Sequence, residues 1–113
     1  MSEYIEVSII DATERLNNFA MTVNLDSSTP ALVQIWHSPP CQIITVWLYK
    51  NGWKPGIASD IMRDLRYLEY REPSDKAIRK SDYEIVSRFV SNVDKVIADI
   101  SREVYGSDTT RSD

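Results

Sequence analysis

Two apolar, β-branched runs separated by a pair of prolines constrain the fold of this chain most strongly. The runs cover residues 32–36 and 43–49, and Pro39 and Pro40 lie between them. Because proline has no backbone N–H, a strand cannot continue through this pair. The pattern predicts a β-hairpin at the centre of a sheet. Side chains alternate along a strand, so its buried face would consist of Ile44, Val46 and Leu48.

The other face of the predicted hairpin is aromatic. Trp47 and Tyr49 point away from the aliphatic face, and pairing Trp36 with Ile43 across the loop would add Trp36 to the same surface. A register shift of one residue would separate them again. This face is either core beneath the helices or an exposed surface, and exposed tryptophan and tyrosine are typical of protein-binding sites.

The amino-terminal part of the chain contains two patterns. Residues 4–10 alternate between apolar and polar side chains, which predicts a half-buried strand. Residues 11–25 fit both a helix and a strand. Their β-branched side chains favour a strand over residues 18–25, with at most one helical turn over residues 12–16.

A second tight turn is predicted directly after residue 49. Asn51 and Gly52 both tolerate positive φ, and this pair between extended segments is a strong hairpin signal. Trp53 would then return beside Tyr49 as a short strand, which Pro55 would end.

After this turn the apolar period changes to that of a helix. An amphipathic α-helix is predicted over residues 57–70. Its apolar side would consist of Ile57, Ile61, Leu65 and Leu68. Its opposite side would carry Arg63, Arg66, Tyr67 and Tyr70, with no carboxylate among them. Such a face is either solvated or a binding surface, because arginine and tyrosine are enriched at energetically important interface positions.

The last predicted element is a long helix over residues 82–105. Ser81 and Glu84 form a capping-box pattern ahead of an apolar stripe at helical spacing. The stripe is broader than contact with one sheet requires, so either the other helix or another subunit covers part of it. Together with the aromatic sheet face, it predicts a homo-oligomer, most simply a two-fold dimer. Residues 71–80 are expected to form a mobile connection, and residues 107–113 a disordered tail without apolar side chains.

Together these elements predict an α+β fold in a single domain over residues 1–106. An antiparallel β-meander of about four strands would occupy the first half, followed by two α-helices, 57–70 and 82–105, packed on one face. A length of 113 residues is sufficient for one modest core.

Composition argues against several functional classes. With 13 basic and 17 acidic residues the net charge is −4, which argues against nucleic acid as a partner. A single cysteine and the lack of a signal-like or long apolar segment favour the cytoplasm, or a host cytoplasm if a mobile element encodes the chain. His37 and Cys41 are the sole members of their kinds, so we expect no catalytic site, metal or cofactor.

Two functions are compatible with these patterns. The first is a non-enzymatic interaction protein of the inhibitor or immunity type, which binds and blocks another protein. The alternative is an oligomeric binder of an anionic, nucleotide-like small molecule, with arginines on the phosphate and aromatic rings stacked on the base at a subunit interface. The candidate binding residues are Arg63, Arg66, Tyr67, Tyr70, Arg71, Trp53, Trp36, Trp47 and Tyr49.

Overall fold

The computed structural model describes residues 3–68 and 80–106, which form an α+β fold. In chain order the elements are α1 (Glu3–Asn24), β1 (Leu32–Ser38), a 3₁₀ turn (Pro39–Cys41), β2 (Ile43–Tyr49), β3 (Ile61–Arg66) and α2 (Lys80–Tyr105). The strands form one antiparallel sheet in the order β1-β2-β3. Neither described helix has the length and apolar composition of a membrane-spanning segment.

The predicted fold class and the antiparallel sheet are confirmed, but the sheet has three strands where about four were predicted. The long carboxy-terminal helix is also confirmed as α2, which begins two residues earlier than predicted. The predicted tail at residues 107–113 and most of the predicted connection at 71–80 lie outside the described residues.

The predicted hairpin is present, with a register that differs by two residues. β1 continues to Ser38, which pairs with Ile43, so Trp36 lies opposite Thr45. The connection is the 3₁₀ turn followed by Gln42, whose positive φ of 56° reverses the chain direction. A shift of two residues keeps every side chain on its face, so the predicted grouping of aromatic residues is retained.

The predicted strands at residues 4–10 and 18–25 are wrong, because residues 3–24 form helix α1 and Leu25 follows it in a turn. The buried side chains of α1 recur at helical spacing along its whole length; they are Ile5, Ala12, Leu16, Ala20 and Val23. Val7, which the strand pattern would have buried beside Ile5, is 56% exposed. Packing of this continuous helical stripe outweighs the modest strand preference of the β-branched residues.

The predicted helix at residues 57–70 is also wrong, since residues 61–66 form strand β3. Ile61 and Leu65 are four residues apart, a spacing that fits one helical turn and also two strand periods. In the sheet both residues point to the face that carries the core. Ile57, which extended the helical pattern, is 53% exposed in the preceding connection.

The predicted short strand at Trp53 is not formed either. The N–H of Gly52 donates to the carbonyl of Tyr49 at 3.1 Å, which closes a turn directly after β2. Within the Asn51-Gly52 pair, positive φ occurs at Gly52 and not at Asn51. A two-residue hairpin turn of the predicted type needs positive φ at both positions, so the chain continues as an irregular connection.

Both helices pack on one face of the sheet and enclose the core against it. The cluster of buried side chains includes Ala12, Leu16, Ala20, Val23, Val33, Ile44, Val46, Leu48, Leu65, Phe89, Val93, Val96 and Ile100. The predicted aliphatic face of β2 is part of this cluster. All of its strand residues share one face by the observed pairing, so the opposite sheet face has neither helix on it.

Candidate functional site

The sheet face turned away from both helices is the candidate site, and we call it the open face. Directly opposite residues in an antiparallel sheet share a face, so the observed register defines its members. They are Leu32, Gln34, Trp36 and Ser38 of β1, Ile43, Thr45, Trp47 and Tyr49 of β2, and Met62, Asp64 and Arg66 of β3. Three residues predicted as a binding surface, Trp36, Trp47 and Tyr49, therefore lie together here.

Large apolar side chains on both outer strands of the open face are exposed to solvent. Trp36 of β1 is 61% exposed, and Met62 of β3 is 53% exposed. Trp47 and Tyr49 on the central strand are half-buried. Single exposed apolar residues are common on protein surfaces, but a contiguous group on one face is typical of an interaction surface.

A polar contact between strands holds the middle of the open face. Thr45 is 8% exposed although it lies on this face, because Trp36 and Asp64 flank it on the neighbouring strands. Its Oγ1 donates a hydrogen bond of 2.7 Å to Oδ1 of Asp64. This contact holds the Asp64 carboxylate against the sheet. The other charged side chain of the open face is Arg66, so the two charges are of opposite sign.

Trp53, another predicted binding residue, lies in the connection between β2 and β3. It is 54% exposed, and Ile57 in the same connection is 53% exposed. The turn that closes on Tyr49 places the start of this connection at the end of β2. These two side chains add exposed apolar surface at this end of the sheet.

Arg63 and Arg66 do not share a surface, because the helix that would have aligned them is a strand. They are three residues apart, so they point to opposite faces of the sheet. Arg63 lies on the helix side, with its Nη2 3.9 Å from Oδ2 of Asp99. Arg66 lies on the open face, and its Nη1 donates to the carbonyl of Cys41 at 3.3 Å.

Tyr67 lies partly buried against α2. Its hydroxyl is 2.8 Å from Nε2 of His37, and its ring meets that of Phe89 edge-on with centroids 5.9 Å apart. Burial raises the pKa of the Tyr67 hydroxyl, because the phenolate would lose solvation there. These contacts account for Tyr67 as a packing residue. Tyr70 and Arg71, the remaining predicted site residues, lie outside the described residues.

A cleft of about 230 Å³ lies between β3 and α2. Its charged side chains on the helix side are those of Arg63, Lys95 and Asp99, whereas the Asp64 carboxylate is bonded to Thr45 on the open face. Asp99 lies 3.9 Å from Arg63 and also pairs with Arg102. Arg63 therefore already faces an acidic side chain, which weakens the cleft as a site for an anion.

Within residues 3–68 and 80–106, no three His, Cys, Asp or Glu side chains cluster as metal ligands. Cys41 is exposed, and the His37 ring nitrogen lies against the Tyr67 hydroxyl.

Met62 and Asp64 of β3 were not identified as site residues from the sequence. β3 has no clear alternation of apolar and polar residues, because Met62 on the open face is apolar and Arg63 on the core face is charged. The four-residue spacing of Ile61 and Leu65 also suits a helix, so no signal in this segment marked the open face.

Comparison of the chain with protein-family models, curated proteins and solved structures found no match. The open face is therefore interpreted from its own geometry and chemistry.

Proposed function

We propose that this chain is a non-enzymatic interaction protein that binds and blocks another protein, in the manner of an inhibitor or an immunity protein. The observation that carries the proposal is the open face, on which Trp36, Trp47, Tyr49 and Met62 share the sheet surface turned away from α1 and α2. Tryptophan and tyrosine are the residues that most often dominate binding energy at protein interfaces.

The distribution of charge on the open face supports a protein partner. Interface cores are depleted of charged residues and enriched in aromatic residues and methionine. On the open face the central strand is uncharged, and the charges of Asp64 and Arg66 are both on the outer strand β3. The Thr45 hydroxyl already bonds Asp64, so a partner covering this region would not leave that carboxylate unpaired.

The shape of the surface supports the same conclusion. Small-molecule sites are concave and enclose most of their ligand, whereas one side of a three-stranded sheet presents a broad surface. The anionic-ligand alternative needs Arg63 and Arg66 on one surface, and they lie on opposite faces of β3. A rigid two-layer domain seated on a partner's functional surface blocks it by excluding other molecules.

The proposal is tested by site-specific photo-crosslinking in the cell that produces the chain. Met62 on the open face and Ser91 on the exposed side of α2 are replaced, one at a time, by p-benzoylphenylalanine. We expect position 62 to give a discrete adduct with one other protein, and position 91 to give none. The captured protein is then purified, and its activity is expected to fall in proportion to the amount of unmodified chain added.

Two outcomes would contradict the proposal. One is that positions 62 and 91 crosslink to the same proteins with equal yield. The other is that the captured protein keeps its full activity when it is saturated with the chain.

A further inference from the structure

Strand β1 lies at an edge of the sheet, and one contact shows which of its backbone groups face outward. Asn24 Nδ2 donates to the carbonyl of Val33 at 2.9 Å, and the N–H of Val33 donates to Asn24 Oδ1 at 2.7 Å. The backbone of Val33 therefore points away from β2. Because hydrogen-bonding direction alternates along an antiparallel strand, the backbone groups of Ile35 and His37 point outward as well.

Ile35 and His37 define a short open window on this edge. Asn24 closes the window at one end by occupying Val33. Pro39 closes it at the other end, since it offers no N–H. In the part of the chain that the structure describes, no backbone hydrogen bond from outside the sheet reaches Ile35 or His37. The window is centred on Trp36.

β1 also lacks the charged side chains that usually protect an exposed edge strand from pairing. None of its seven residues is Lys, Arg, Asp or Glu. The opposite edge, β3, carries Arg63, Asp64 and Arg66 among six residues. Charges on an edge strand disfavour pairing with another strand, so β3 has this protection and β1 does not.

We propose that the β1 edge binds the β1 strand of a second copy of this chain, antiparallel to it, about a two-fold axis at Trp36. In this register Ile35 pairs with the partner subunit's His37, and His37 with the partner subunit's Ile35. Each pair exchanges two hydrogen bonds, so every outward group of the window is bonded. A shift of the register by two residues in one direction would require Val33 to pair, and its backbone groups are already bonded to Asn24. A shift by two residues in the other direction would place Pro39, which has no N–H, opposite Ile35.

The resulting dimer has one continuous six-stranded sheet. Its axis is perpendicular to the sheet, so both pairs of helices lie on one side and both open faces on the other. Trp36 meets the partner subunit's Trp36 as a non-hydrogen-bonded pair, in which side chains approach most closely. This covers a tryptophan that is 61% exposed in the single chain. The inference goes beyond the proposed function, because the dimer covers only Trp36 of the exposed apolar residues on the open face and leaves Trp47, Tyr49 and Met62 to a partner.

Sedimentation velocity tests the pairing through one backbone N–H. The unmodified chain at about 50 µM is expected to sediment at twice its 13.0 kDa mass. His37→Pro removes an outward N–H without breaking the ladder to β2, so it is expected to sediment as a single chain. His37→Ala loses the same side chain but keeps the N–H, and it is expected to remain dimeric. Circular dichroism checks that both variants are folded.

A 13.0 kDa species for the unmodified chain at that concentration would overturn the proposal. The β1 edge would then be a candidate binding site for an extended segment of another protein. Equal dissociation of His37→Pro and His37→Ala would also overturn it, because the side chain and not the backbone would then be responsible.

Disulfide trapping tests the register. In a Cys41→Ser background, which removes the exposed native thiol, Trp36→Cys is expected to form a disulfide-linked dimer on mild oxidation. Non-hydrogen-bonded Cα atoms lie about 4.5 Å apart, within disulfide range. Gln34→Cys is expected to stay monomeric on a denaturing gel, because its symmetry mate would be about 13 Å away. A mixture of Gln34→Cys and Ser38→Cys should crosslink, since these positions pair in the proposed register. Equal crosslinking of Trp36→Cys and Gln34→Cys alone would contradict that register.

Discussion

Replacing Phe89 with alanine is expected to lower the free energy of unfolding by about 3–5 kcal/mol. Phe89 is 1% exposed in the cluster that joins both helices to the sheet, and its ring meets the edge of Tyr67. Alanine would leave a cavity between α2 and the sheet that the surrounding helices and strands cannot fill. Because domains of this size are stable by only about 5–15 kcal/mol, this single change should remove a large share of the total.

Urea unfolding followed by circular dichroism measures this effect. Ser91→Ala is the control, since Ser91 lies on the exposed side of the same helix and its replacement should change stability by about 0.5 kcal/mol or less. A loss below about 1 kcal/mol for Phe89→Ala would show that the core does not enclose this ring.

Replacing Trp47 with alanine is expected to weaken binding of the captured partner by about 2 kcal/mol or more, which is roughly thirtyfold or more in Kd. Trp47 lies on the central strand, between Gln34 of β1 and Met62 of β3, and so at the middle of the open face. Energetically dominant interface residues tend to lie at such central positions, where the partner excludes water completely.

Isothermal titration calorimetry of the chain against its captured partner measures this loss. Trp47→Phe keeps an aromatic ring at the position and is expected to keep most of the affinity. Trp47→Ala should remain folded, with a smaller loss of stability than Phe89→Ala. Unfolding of Trp47→Ala would show that this tryptophan acts as core, and unchanged affinity would show that the open face is not where the partner binds.

The elements predicted correctly from the sequence are those whose apolar residues recur at a spacing that fits only one type of secondary structure. The long apolar stripe over residues 85–104 predicts α2, because no strand pattern fits about twenty residues. The Pro39-Pro40 pair and the alternation along β2 likewise predict the hairpin and its two faces. The grouping of aromatic residues was retained because the register differed by an even number of residues.

The elements predicted wrongly are those in which the apolar residues fit both the helical and the strand spacing. The stripe of α1 is continuous only when residues 3–24 are considered as one segment, and the alternation of Ile5, Val7 and Ile9 favoured a strand over its first part. In β3, Ile61 and Leu65 suit both structures, and only pairing with β2 distinguishes them. The candidate site changed accordingly, because Arg63 and Arg66 share a surface in a helix and are separated in a strand.

The most direct test of the open face as the binding surface compares substitutions at two neighbouring residues that point to opposite faces of the sheet. Met62 and Arg63 are neighbours in β3 but point to opposite faces, and both side chains are largely exposed. Glutamate at either position should therefore change stability by about 1 kcal/mol or less. A charge buried without a partner at an interface costs about 3–5 kcal/mol, which is more than a hundredfold in Kd.

The decisive measurement is the Kd of the captured partner for Met62→Glu and for Arg63→Glu, determined side by side with the unmodified chain. We expect Met62→Glu to lose more than about a hundredfold in affinity and Arg63→Glu to bind as the unmodified chain does. The reverse result, normal binding by Met62→Glu and loss of binding by Arg63→Glu, would place the functional surface on the helix side of the sheet and contradict the account.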